Sequence, residues 1–139
     1  MIIAERYHDI SCGHRVVGHE NKCRFLHGHN YRFTFTISSS EKDSVGRVLD
    51  FSVIKSLLCQ WLEDTWDHKT LIWEQDPLLQ GLRELSDESI CVVSFNPTAE
   101  NMAEYLVKVV AEQQLIGTGC TLIECKVEET RKCSAIYKL

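Results

Sequence analysis

Cys23-Arg24-Phe25-Leu26-His27-Gly28-His29-Asn30-Tyr31 is the stretch around which this chain is organised. His27 and His29 are two residues apart, the side-chain period of a β-strand, so in an extended segment both imidazoles point to the same side. On a helix they would diverge. Two neutral imidazoles converging on one side predict a divalent-metal site, and zinc is the usual choice for nitrogen and sulfur donors. A third ligand is needed. His14, in Cys12-Gly13-His14-Arg15, ends an earlier candidate strand. If that strand runs antiparallel to the one that carries His29, the three imidazoles meet. Gly28, with no side chain, permits close approach of another backbone or a ligand.

Cys23 has two readings. A thiol four residues before His27 either closes a metal tetrahedron or stands beside an open one. The first is a structural zinc with one sulfur and three nitrogens. The second is a catalytic zinc with three histidines, a free position for substrate or water, and a nearby thiol acting as a base.

The strand carrying the pair is the clearest in the chain. Tyr31, Phe33, Phe35 and Ile37 alternate with Arg32, Thr34 and Thr36, and His27 and His29 continue the inward-facing set. Upstream, residues 2–14 alternate loosely, with Ile10, Cys12 and His14 on one side. Residues 16–22 read as a loop delivering Cys23, with His19 solvated in it. Downstream, Asp50 caps a helix whose apolar face is Val53, Ile54, Leu57, Leu58, Trp61 and Leu62. It runs out at Trp66-Asp67-His68-Lys69, where Asp67 and His68 are either a surface cap or an acid/base pair.

Residues 70–95 form a long connection holding a short helix over 77–85 and a short buried strand over 90–95. Asn96-Pro97-Thr98-Ala99-Glu100 has the signature of a helix start, followed by an apolar stripe of Met102, Ala103, Leu106, Val109 and Val110. After Gly117 and Gly119, residues 121–127 alternate, with Ile123, Cys125 and Val127 on one side and Leu122, Glu124 and Lys126 on the other. Counting on by two places Glu129 in register with the apolar set, where a carboxylate is costly unless it meets a donor. Residues 134–137 make the last strand. The expected architecture is α+β: a four-stranded antiparallel sheet with two main helices on one face, in the order ββααββ.

Composition bounds the rest. With 139 residues, 44% of them apolar and 25% charged, the sequence is that of a single domain able to bury a core. No apolar run reaches membrane-spanning length, and residues 1–7 lack the blocks of a signal peptide, so the cytoplasm is the expected location. Seven cysteines, an odd number without an export signal, argue against a disulfide framework. A net charge of −5 with no basic cluster argues against a nucleic-acid partner.

The ordered set His14-Arg15, Cys23-x-x-x-His27-Gly28-His29-Asn30-Tyr31, Asp67-His68, Asn96-Pro97-Thr98-Ala99-Glu100 and Val127-Glu128-Glu129-Thr130 resembles the 6-pyruvoyl-tetrahydropterin synthase superfamily, and within it the carboxy-forming branch of the queuosine and deazapurine pathways. The resemblance implies a tunnelling fold in which sheets of several subunits close into a barrel, a hexamer of two facing trimers, and active sites at subunit interfaces. It implies zinc on His14, His27 and His29, Cys23 as general base, and Asp67 with His68 as the partner acid/base pair. Glu129 would anchor the pterin's amino-pyrimidine edge, with Thr98 a further pterin contact. The implied substrate is 7,8-dihydroneopterin triphosphate, converted to 6-carboxy-5,6,7,8-tetrahydropterin with loss of acetaldehyde and triphosphate. The three-residue gap between Cys23 and His27 favours this branch over the pyruvoyl-forming synthase of biopterin synthesis, which generally has a wider one. A non-enzymatic protein with a closed structural zinc is the rival of another class.

Overall fold

The alternation centred on Tyr31 and Phe33 produces a 13-residue strand, β2 (His27–Ser39), and the looser alternation before it produces β1 (Ile3–His14). The two pair antiparallel over their whole length, from Ile3 opposite Ser38 to His14 opposite His27. This computed structural model describes residues 1–139. β5 (Cys120–Glu128) lies on the other side of β2, and β6 (Ser134–Lys138) pairs antiparallel with β5.

The sheet has six strands and not four, in the order β4-β3-β1-β2-β5-β6. The two extra strands, β3 (Thr70–Trp73) and β4 (Ile90–Val93), come from the long connection and run parallel to β1 and to each other, so the sheet is mixed. A long helix, α1 (residues 51–65), carries the chain from β2 to β3, and a short helix, α2 (Leu79–Ser86), carries it from β3 to β4. The α2 crossover returns the chain in the parallel sense, where a two-residue turn cannot, whereas α1 carries it past β1 and leaves β3 antiparallel to β2. The connection at 70–95 is thus two strands and a helix.

Helix α1 combines α-helix Phe51–Ile54, a π-helical segment Lys55–Cys59 and α-helix Gln60–Thr65. The Asp50 carboxylate accepts from the Ser52 N–H at its start, as expected of a cap. Ile54, Leu58, Leu62 and Trp66 are buried at intervals of four. On an ideal α-helix each such step drifts by about 40°; the wider π turn offsets the drift and keeps the row facing the sheet. Helix α3 repeats the device, with α-helix Ala99–Tyr105, a π segment Leu106–Val110 and α-helix Ala111–Gln114. Its buried stripe is Met102, Ala103, Leu106, Val107, Val110 and Ala111, so Val107 takes the place expected of Val109, which stays exposed. The π turn shifts the phase after Leu106.

A second correction falls in β5. Leu122 is buried with Cys125 and Val127, while Ile123 is only half-buried. The register between β2 and β5 slips between Thr36 and Ile37, so that Thr36 opposes Glu124 and Ile37 opposes Leu122. An irregularity of this kind breaks strict alternation and turns the next side chain to the other face.

The inward face of the sheet and the inner sides of α1 and α3 share one core of 25 buried residues, including Tyr31, Phe33, Phe35, Trp66, Met102 and Leu106. The other face of β1, β2 and β5 carries Asp9, Ser11, Asn30, Arg32 and Glu128, which line an open polar cleft.

Candidate active site

The β1–β2 register assembles three imidazoles. His14 lies directly opposite His27, Cys12 lies opposite His29, and all three histidines project from the inward face at one end of the sheet. Their ring centroids are 4.5 Å (His14–His27), 5.2 Å (His14–His29) and 4.8 Å (His27–His29) apart. One nitrogen from each lies within 4.8 Å of the other two. The strands approach closely here because Gly13 faces Gly28: a Cβ on Gly28 would sit 3.3 Å from the Cys12 carbonyl oxygen, and one on Gly13 would sit 3.1 Å from Thr70 Oγ1.

Hydrogen bonds behind the rings fix what they present. His14 Nδ1 lies 2.6 Å from the Pro97 carbonyl oxygen and His27 Nδ1 lies 2.7 Å from that of Phe25. A carbonyl only accepts, so both Nδ1 atoms carry the proton and both Nε2 atoms of the neutral rings carry lone pairs. Those two Nε2 atoms face each other at 3.1 Å. Burial holds the His14 ring down at about 4, the Pro97 carbonyl opposing that trend and His27 and His29 reinforcing it, so the ring is neutral near pH 7. The His29 ring is also lowered by burial, against the pull of Glu129. Two lone pairs at this distance repel unless a cation lies between them. His29 Nε2 is buried with no hydrogen-bond partner, a third donor of the same kind. Three nitrogen donors, a neutral His14 ring and two carbonyl-fixed tautomers together fit a transition-metal cation such as zinc.

Glu129, one residue beyond β5, turns inward as the count by two predicts. Its carboxylate oxygens lie 4.0 Å from His14 Nε2 and 3.8 Å from His29 Nε2. It borders a shallow cleft with Ala99, Glu100 and Cys133. Thr98 stands at the same end of α3, but its hydroxyl accepts from the Asn101 N–H as the helix cap. Cys23 sits half-buried in the short 3-10 turn Lys22–Arg24 and is outside the cluster of mutually close donor atoms, which consists of the three histidines alone.

Asp67 and His68 do pair, with His68 Nδ1 2.8 Å from Asp67 Oδ2. Asp67 Oδ1 accepts from the Ser11 N–H at 3.0 Å, and the His68 N–H donates to the Ser11 carbonyl at 2.7 Å. Burial pushes the Asp67 carboxyl up, but these bonds outweigh it and leave it below the usual carboxylate range. His68 holds a left-handed backbone, φ 60°, uncommon for a residue other than glycine. Its side chain is 81% exposed and lines the outer cleft with Ser11, Asn30 and Arg131. Within one chain the pair therefore belongs to the outer face of the sheet and the imidazole cluster to the inner face.

Two supports carry no signal of their role in the sequence. Arg15, next to His14, forks onto Asp76 at 2.6 and 2.9 Å and also donates to the Arg24 carbonyl at 2.8 Å, tying the end of β1 to the turn that carries Cys23. Asp76 is buried and further satisfied by the Leu78 N–H, which keeps its charge affordable there. The Asn96 side chain pairs with both backbone groups of Val17 at 3.0 and 2.9 Å, clamping the same loop to the segment that presents the Pro97 carbonyl.

Residues 3–139 match the family of 6-pyruvoyl tetrahydropterin synthase. The chain belongs to this family. A curated relative from Rickettsia felis, named 6-carboxy-5,6,7,8-tetrahydropterin synthase, is 33% identical over 134 residues, covering 96% of this chain and 97% of that protein. Among solved structures, an uncharacterized protein from Wolinella succinogenes superposes with a TM-score of 0.85 at 23% identity, over 99% of this chain and 97% of its own. The Caenorhabditis elegans 6-pyruvoyl tetrahydropterin synthase superposes with a TM-score of 0.71 at 23% identity, over 99% and 95%. The fold is thus the family's tunnelling fold, with the six-stranded mixed sheet described above.

Proposed function

We propose that the chain, acting as one domain over residues 1–139, is a zinc-dependent lyase that converts 7,8-dihydroneopterin triphosphate to 6-carboxy-5,6,7,8-tetrahydropterin with loss of acetaldehyde and triphosphate. The observation that carries this reading is the cluster of three imidazoles, two of them with Nε2 atoms facing each other at 3.1 Å, beside the inward carboxylate of Glu129. The curated relatives bearing the carboxy-forming name point to the same branch.

His14, His27 and His29 hold the zinc, which when bound would acidify the side-chain hydroxyls of the substrate and stabilise negative charge on their oxygens. Glu129 accepts the adjacent N–H groups of the amino-pyrimidine edge and so orients the pterin ring. Cys23, carried on a turn braced by Arg15, removes and returns protons at the side-chain carbons. His68, its ring fixed by Asp67, is the second proton carrier. Because His68 lies on the outer face of the sheet, it serves the site of a neighbouring subunit in a hexamer of two trimers. The two sheet edges, β4 and β6, are unpaired in a single chain, which supports closure of several sheets into a barrel. The product then enters queuosine or another deazapurine pathway in the cytoplasm. No helix is long and apolar enough to cross a membrane.

The test is to incubate zinc-loaded protein with 7,8-dihydroneopterin triphosphate, assay acetaldehyde and weigh the pterin product. Acetaldehyde with a carboxy-pterin supports the reading. Triphosphate release without acetaldehyde moves the activity to the pyruvoyl-forming branch, and an unchanged substrate leaves a structural zinc.

A further inference from the structure

The buried side-chain nitrogen and oxygen atoms that lack a hydrogen-bond partner are His29 Nε2 and the Tyr31 hydroxyl. They are neighbours. Tyr31 follows His29 by two on the inward face of β2, its ring centroid 5.3 Å from that of His29 and 5.9 Å from that of His14. Tyr31 is fully buried, yet its hydroxyl does not bond to the unpaired His29 nitrogen beside it. Leaving a hydroxyl buried and unpaired is destabilising, and an unsatisfied group of this kind calls for a missing partner. The metal proposed above accounts for His29 Nε2, since a lone pair suits a cation. A cation gives no account of a phenol, whose proton needs an acceptor. Tyr31 belongs to the same inward-facing row of β2 as His27 and His29, so it stands next to the proposed metal ligands on the side of the core.

We infer that Tyr31 is a substrate-binding residue: its hydroxyl donates a hydrogen bond to an oxygen of the ligand bound against the three histidines. This rests on the pterin reading and deepens it. The acceptor is an oxygen of the substrate's hydroxylated side chain, because that portion must lie beside the imidazoles while the amino-pyrimidine edge lies on Glu129. Phenylalanine in place of tyrosine would keep the packing against His14, His29 and Phe33 and remove only the donor.

Tyr31→Phe separates this role from a structural one. If the hydroxyl is unpaired until substrate arrives, the metal-free variant melts at or above the wild-type temperature. Zinc content per chain is unchanged, and kcat/KM for 7,8-dihydroneopterin triphosphate falls at least tenfold. A metal-free variant that melts clearly lower, or fails to fold, shows that the hydroxyl has a structural partner and overturns the inference. Loss of zinc from the folded variant also overturns it, because the hydroxyl would then act through the metal. An unchanged kcat/KM overturns it as well. A wild-type protein inert toward the pterin overturns the functional reading and this assignment together, whereas an active wild type with an unaffected variant overturns this assignment alone.

Discussion

The imidazole cluster and the Asp67–His68 corner both lean on the end of β1, through His14 and through the Ser11 backbone, yet they differ in almost every physical respect. His14 is 1% exposed, faces the core and is backed by a carbonyl; the His68 side chain is 81% exposed, faces the outer cleft and rests on a strained backbone. The first is complete within one chain, because strand register supplies all three donors and the carbonyls of Phe25 and Pro97 supply their orientation. The second is an oriented carboxylate–imidazole pair whose exposed ring opens onto the outer cleft. The contrast teaches that the three imidazoles are gathered by one folded chain, whereas the Asp67–His68 pair is presented outward, as the proposed role toward a neighbouring subunit requires.

Experiments that break the comparison run from large effects to small. His27→Ala should abolish zinc binding and reduce activity by more than about 10³-fold, since it removes a ligand outright; zinc per chain by elemental analysis is the check. Cys23→Ser should keep the zinc and lose turnover by about 10²–10⁴-fold, the usual range for a general base. A folded Cys23→Ser protein without metal would convert the site into a closed structural one. His68→Ala should also keep zinc and lose about 10²-fold or more in kcat. Its sharper form is complementation: co-refolded Cys23→Ser and His68→Ala chains should recover activity that neither has alone, and failure to recover would put both groups to work within one subunit. Glu129→Gln should raise KM by about tenfold or more with a smaller effect on kcat, as expected for a lost charge-assisted hydrogen bond made in the ground state as well.

Acid should distinguish the two regions in the metal-free protein. The unfolded chain protonates His14 near 6.5, the folded one only near 4, so the folded state binds fewer protons in between. Stability is then flat above pH 6.5 and declines as pH falls toward 4, by up to about 3 kcal/mol at about 1.4 kcal/mol per unit. The Asp67 carboxyl, held below its ordinary value, contributes stability that is kept until the pH drops below 3.8. Thermal melts between pH 7.5 and 4.5 should show the first decline, and His14→Gln should remove much of it.

The inner region was legible in the sequence. The two-residue spacing of His27 and His29, the aromatic alternation after them and the order His14, then Cys23, then the pair were enough to expect the cluster, and continued counting along β5 put Glu129 on the inward face, where the fold brings it beside the histidines. The Asp50 cap and the start of α3 were equally local. β3 was not legible, because Thr70–Trp73 is a four-residue strand in the middle of a sheet, with Leu71 and Ile72 both buried and no alternation to mark it. The displaced stripe of α3 and the flipped Leu122 were hidden for a related reason, since a π turn or a slipped register changes the period on which such counting depends.

By itself, then, the sequence determined which side chains share a face wherever the two-residue period of a strand or the helical period runs unbroken, as it does from His27 to Ile37 but not across the π turn of α3 or the slip in β5. Tertiary structure alone decided which faces meet. Arg15 finds Asp76 across 61 residues and His14 finds the Pro97 carbonyl across 83, pairings that no local pattern encodes because they exist only once the crossovers have returned the chain. The same is true of the corner at His68, which the sequence leaves open between a surface cap and an acid/base pair and which the folded sheet turns away from its own chain's imidazole cluster.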